Sequence, residues 1–228
     1  MDPQAPAPKR GADPKSGRPS RRRALLFFLI AAFILAALLA LNLALDNGWL
    51  ARLTSPRQPA VTRAPISFYP ADYEEDIEAD EGYLGLNRYL RYTDGPYSTY
   101  LANERDLAAI GPVAYFFRAY FDAIIAGDSE AYNSFFTEEY RKEAGEKGRF
   151  TKQKVYDVEL VKLSEYRPET EERLTVWEFD VSYRIRQNNG TFRDDIESDA
   201  ARRQVYQLVR DDSDGKILIR SISDYKIK

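Results

Sequence analysis

From Ala24 to Leu45 the chain is apolar apart from Asn42, near the end of the run. A helix rising about 1.5 Å per residue would span roughly 33 Å over this stretch, enough to cross the hydrocarbon core of a bilayer. A cleavable leader would have a shorter apolar region ending in a small-x-small site. The segment Leu41-Asn42-Leu43-Ala44-Leu45-Asp46 offers no such site, so the pattern predicts a transmembrane helix over 24–45. A different periodicity begins at Pro112. Val113, Phe117, Tyr120, Phe121 and Ile124 recur every three or four residues and predict an amphipathic helix that Gly127 ends. Asp128 or Ser129 then caps a second helix, which carries Ala131, Tyr132, Phe135, Phe136 and Tyr140 and stops before Gly145.

Beyond Phe150 the period falls to two. Tyr156, Val158 and Leu160 alternate with Asp157 and Glu159. Trp177, Phe179, Val181, Tyr183 and Ile185 alternate with Glu178, Asp180, Ser182, Arg184 and Arg186, as in an antiparallel sheet with one buried face. Asn188-Asn189-Gly190 reads as a turn, and Asn189-Gly190-Thr191 also has the form of a glycosylation acceptor. Strands over Val205–Val209 and Ile217–Ile227 complete the sheet. Ahead of the helices, Tyr89–Tyr92 and Tyr97–Tyr100 flank Asp94-Gly95-Pro96 and predict a small hairpin.

The remaining boundaries follow from composition. Residues 1–23 are rich in proline and read as a disordered tail. Residues 46–65 form a proline-rich spacer, and 66–111 hold an acidic segment (Asp72, Glu74, Glu75, Asp76, Glu78, Asp80, Glu81) followed by the hairpin. That acidic spacing does not match a calcium loop and reads as a solvated surface. The last part, 112–228, carries the helices and the sheet.

Charge separates the two ends of the molecule. Seven of the 33 basic residues and two of the 36 acidic ones lie in residues 1–23, which leaves 26 basic and 34 acidic residues beyond them. Arg21, Arg22 and Arg23 abut the apolar run, so the positive-inside rule puts the N-terminus in the cytoplasm and the C-terminal part outside it. An acidic outer domain argues against nucleic acid as a partner. The chain has no cysteine and no histidine, which removes disulfides, thiolate nucleophiles, cysteine-ligated zinc and histidine-based triads. A small outer domain with no cysteine suits a bacterial surface. No metal site and no cofactor are expected from these residues.

Two helices, the first closing in Ala126-Gly127-Asp128, followed by long antiparallel strands, resemble the nuclear transport factor 2-like superfamily. This superfamily includes ketosteroid isomerase and the polyketide cyclases. The resemblance rests on Tyr115–Asp128, Tyr132–Phe136 and the strands from Tyr156, and it covers about 112–228, roughly half the chain. It implies an α+β fold in which two or three helices pack on a curved antiparallel sheet and form a cone with a pocket. The small hairpin segment and the transmembrane helix precede that domain. Isomerases of this kind use a carboxylate base with an oxyanion hole made of a tyrosine and a protonated acid. No position here matches that motif, so no catalytic residue is assigned.

One segment exceeds what a hairpin requires. Thr191–Gln204 places Arg193, Asp194, Asp195, Asp199, Arg202 and Arg203 between two strands. Binding residues concentrate on loops held by a rigid scaffold, so this arm is the first candidate for a contact site. The aromatic face from Trp177 to Ile185 reads as core, with Trp177 and Tyr183 as the binding candidates if it lines a pocket. The expected function is a non-catalytic, membrane-anchored interaction domain outside the cytoplasm, contacting a protein or an envelope component. The alternatives are a small-ligand sensor using the cone pocket and an isomerase- or dehydratase-like enzyme working through Asp, Glu and Tyr.

Overall fold

The structure is a computed structural model that describes residues 65–225 together with Leu35, which is helical. The proline-rich tail, the rest of the apolar run 24–45 and the spacer up to residue 64, for which a cytoplasmic end, a transmembrane helix and a linker are expected, lie outside the described residues. Among the described residues no helix is long and apolar enough to cross a membrane.

The chain from Ala64 to Lys228 makes one compact unit. A short 3-10 turn (Ile77–Ala79) and α1 (Glu81–Leu84) lead into the hairpin β1 (Leu90–Asp94) and β2 (Tyr97–Leu101). Helices α2 (Glu104–Ile110), α3 (Pro112–Ala126), α4 (Ser129–Asn133) and α5 (Glu138–Ala144) follow. The strands β3 (Lys154–Tyr166), β4 (Leu174–Arg186), β5 (Gln204–Asp211) and β6 (Ile217–Asp224) complete the order. The fold is α+β, with a six-stranded sheet in the order β2-β1-β3-β4-β5-β6.

Three expectations need correction. The sheet is mixed, because β1 runs parallel to β3 while every other neighbouring pair is antiparallel. The hairpin therefore joins the main sheet, and Leu90 and Tyr92 extend the same core as Val158 and Leu160. The second helix is broken into α4 and α5. Between them, Ile219 of β6 donates its N–H to the Phe135 carbonyl (2.8 Å) and accepts from Thr137 N–H (3.0 Å). That exchange makes Phe136 a parallel bridge to Ile219 and leaves Thr137 extended, and the Thr137 hydroxyl then caps α5. With α1 and α2, the described residues 65–225 form five α-helices where two or three were expected. α2 carries a capping box in Asn103 and Asp106, a signal visible in the sequence but not used there.

The long helix forms where the apolar spacing put it. Pro112 opens α3, and Gly127 closes it in a left-handed conformation at φ 72°. All five residues of the anticipated stripe are buried, and Phe116 is buried too because Phe135 covers that flank edge-on at 5.5 Å. The stripe rests on the alternate residues of β4 and β5. Phe117 meets Phe179, Phe121 meets Tyr183, and Tyr120 meets Tyr206, all edge to face at 5.1–6.0 Å. Such pairs contribute about 0.5–1.5 kcal/mol each beyond their burial. Aromatic rings thus fill the interior between α3 and the sheet.

The acidic segment is less free than its composition implies. Asp76 and Asp80 cap the 3-10 turn and α1. Lys154, with its side chain 5% exposed, reaches Glu75 (2.5 Å), Asp80 (2.8 Å) and the amide oxygen of Gln187 (2.5 Å). The Tyr83 hydroxyl donates to the Val155 carbonyl at 3.0 Å. These contacts fasten the segment to β3.

Candidate functional site

The arm between β4 and β5 is built around Asn188, which is fully buried. Its amide nitrogen donates to the carbonyls of Arg193 (2.8 Å) and Ile196 (2.9 Å). This clasp brings Phe192 and Ile196 inward, where Phe192 packs against Phe150 and Tyr132 at 4.9 and 5.3 Å. The arm is therefore an anchored loop with a buried underside, and Asn188-Asn189-Gly190 opens it rather than closing a tight hairpin. Asn189 is engaged as well. Its amide nitrogen donates to Thr151 Oγ1 and its oxygen accepts from Thr191 Oγ1, both at 2.7 Å.

The candidate residues fall into separate groups. Arg193, its side chain only 11% exposed, lies against Asp195 (2.6 Å) and reaches inward to the Tyr183 hydroxyl and Gln204 Oε1, each at 3.0 Å. Arg202 bridges Asp195 (2.6 Å) to Asp224 at the end of β6 (2.5 Å). Arg203 pairs instead with Asp180, which is buried on β4, and lies over the Tyr225 ring at 3.9 Å. Asp199, in a left-handed conformation at φ 63°, accepts from the Tyr156 hydroxyl at 2.8 Å. Arg184 donates to the Asp199 carbonyl. Asp194 is exposed and takes part in no ion pair among the described residues. Trp177 and Tyr183 are buried in the core. They connect to the surface through Arg210 over the Trp177 ring and Arg193 over the Tyr183 ring.

Beneath Arg193 the phenols of Tyr120, Tyr132, Tyr183 and Tyr206 converge, with the Tyr120 and Tyr206 hydroxyls 3.4 Å apart. Burial raises the pKa of all four, so they are neutral donors and acceptors at ordinary pH. Burial opposes the charge on Arg193, but its hydrogen bond to Asp195 and the Tyr183 phenol outweigh that, and its pKa is raised. Asp195 is held below the usual carboxylate range. Burial works against it, but the hydrogen bond from Arg193 and the charges of Arg193 and Arg202 prevail. Sequence reasoning missed the three other tyrosines as partners of Tyr183 because each falls on an apolar stripe.

Two surface grooves offer other chemistry. One, of about 370 Å³, contains Asp122, whose pKa burial raises, near Arg118 and Tyr83. A carboxylate of this kind beside a phenol is what an isomerase-like site needs. The Tyr83 hydroxyl, however, is committed to Val155. The other groove, of about 190 Å³, has an aromatic floor of Tyr132, Phe136 and Tyr140 with Arg141 and Lys147 at its rim. No group of three or more metal-ligating side chains occurs among the described residues. No protein-family model, curated protein or solved structure matches this chain.

Proposed function

We propose that this protein is a membrane-anchored interaction module: a non-catalytic domain of the nuclear transport factor 2-like type, held outside the cytoplasm by a transmembrane helix over 24–45. The domain contacts a protein or envelope component through the charged arm. The observation that carries this reading is the filled interior. Where a ligand-binding cone would be open, Phe117, Tyr120, Phe179, Tyr183 and Tyr206 meet ring to ring, while from the arm Arg193 reaches the Tyr183 hydroxyl and Phe192 packs on Tyr132 and Phe150. Function then falls to the surface.

On that surface the arm combines rigidity with exposed charge. Asn188 fixes its path from below, while Asp194 and the outer part of Arg202 face solvent. Loops held in this way lose little entropy on binding, and arginine is enriched among residues that dominate interfaces. The anchor rests on the length of the apolar run and on the three arginines before it.

A photo-crosslinking residue at position 194 of the full chain, activated in intact cells, tests the proposal. The expected result is a discrete adduct that disappears when Arg202 is replaced by Ala. Absence of any adduct at 194, with adducts formed from the groove at Tyr140, would move the contact away from the arm.

A further inference from the structure

We infer that β2 is a docking edge for a second copy of this chain, whose own β2 adds antiparallel and continues the sheet. The sheet has two edges, and the structure treats them differently. At β6, Ile219 exchanges main-chain hydrogen bonds with Phe135 and Thr137, so the first part of that edge is covered. Among the described residues nothing pairs with the outer side of β2.

The hairpin register determines which groups point outward. Asp94 and Tyr97 close a two-residue loop, with Gly95 at φ 55°, so Tyr97, Thr99 and Leu101 exchange main-chain hydrogen bonds with β1. The N–H and C=O groups of Ser98 and Tyr100 then face away from it. Natural edges are commonly blunted by lysine, proline or a bulge. Tyr97-Ser98-Thr99-Tyr100-Leu101 has none of these, and its register with β1 is unbroken. Tyr97 and Tyr100 are both about half exposed.

The occupant is identified by self-complementarity. With Thr99 on the two-fold axis, Ser98 stands opposite Tyr100 of the second copy and Tyr97 opposite its Leu101. Each outward N–H then meets an outward C=O. No charged side chain lies on the edge itself. Beside it, Arg91 pairs with Glu159 at 3.5 Å and donates from Nε to Ser98 Oγ at 3.2 Å. A five-residue edge alone is smaller than a stable soluble dimer requires. Pairing is therefore expected where chains are concentrated in one bilayer, which rests on the anchor proposed above but not on the arm.

The absence of cysteine makes the test clean. In such a pairing the two Thr99 Cα atoms would lie about 4.5 Å apart, within disulfide range. Full-length chain carrying Thr99→Cys is oxidised in membranes and compared with Ser223→Cys on β6. The expected result is a covalent dimer from Thr99→Cys and almost none from Ser223→Cys. Adding Ser98→Pro, which removes an outward N–H that β1 does not use, should abolish the dimer without changing the melting temperature. If Ser98→Pro unfolds the hairpin, Tyr100→Lys provides the same test by charging the edge. Equal crosslinking at the two cysteines, or a dimer that survives both edge substitutions, would overturn the inference. Adducts of Thr99→Cys with other proteins alone would assign the edge to a partner strand and overturn it too. Sedimentation of the sample with the membrane checks the anchor separately.

Discussion

Phe117 of α3 stands edge-on over Phe179 of β4, ring centroids 5.1 Å apart and planes at 77°. Both rings are almost completely buried, and the contact joins the long helix to the longest antiparallel ladder of the sheet. Phe179 also meets Tyr92 of the hairpin at 6.1 Å, so one side chain ties together three parts of the fold. Phe179→Ala is expected to cost about 3–5 kcal/mol. A urea titration of the isolated fragment 64–228 would measure it, and a loss below about 1 kcal/mol would mean that the site collapses around the vacancy.

Gly127 provides a backbone test. Its φ of 72° is left-handed, and a Cβ there would sit 2.8 Å from Lys152 N, a main-chain atom that cannot swing away. Gly127→Ala should destabilise the domain by about 1–3 kcal/mol in the same titration. An unchanged midpoint would contradict the close approach of α3 to residues 150–152.

The dependence of stability on pH follows from two fastenings. Asp80 has a lowered pKa, chiefly through its hydrogen bond from Lys154, and Asp195 is lowered by Arg193 and Arg202 against its burial. A carboxylate lowered on folding contributes stability above its unfolded value, near 3.8, and loses it as pH falls through the folded one. Lys154 is raised above 10.5: burial opposes its charge, but the hydrogen bonds to Asp80 and Glu75 prevail. Its contribution is complete below 10.5 and lost as pH rises through the folded value. The melting temperature should therefore be nearly flat between about pH 5 and 9 and fall at both extremes. Lys154→Met should lower it by several degrees at neutral pH, since Asp80 and Glu75 would lose a common partner.

Much of this architecture is legible in the sequence. The stripe from Val113 to Ile124 and the alternation from Trp177 to Ile185 specify which faces meet, because burial enforces the periods 3.6 and 2. The break between α4 and α5 is not legible. It depends on Ile219 pairing with Phe135 and Thr137 across more than eighty residues, and local spacing carries no trace of that contact. The parallel register of β1 with β3 is hidden for the same reason. Of the candidate site, the arm's charges are plain in the sequence, but their partners are not. Arg193 turns inward to Tyr183 and Gln204, while Arg203 serves the buried Asp180.

Those partners change what each arginine should do. Arg202 makes exposed pairs, so Arg202→Ala should shift stability by no more than about 1 kcal/mol. Arg203→Ala leaves the Asp180 carboxylate buried without its cation and should cost clearly more. Thermal melts of the two variants side by side check this ordering, and equal losses would contradict it.

On the function proposed above, the domain acts through its surface and not through its interior. Capture yield in intact cells, crosslinked from position 194, separates surface from interior when two variants are compared. Tyr120→Phe combined with Tyr206→Phe alters the inner hydroxyls and keeps the ring packing, while Arg202→Ala alters the arm alone. The interior variant should capture as well as the unaltered chain, and the arm variant should capture poorly. Full capture by the arm variant with loss in the interior variant would contradict that reading and assign function to the tyrosine cluster.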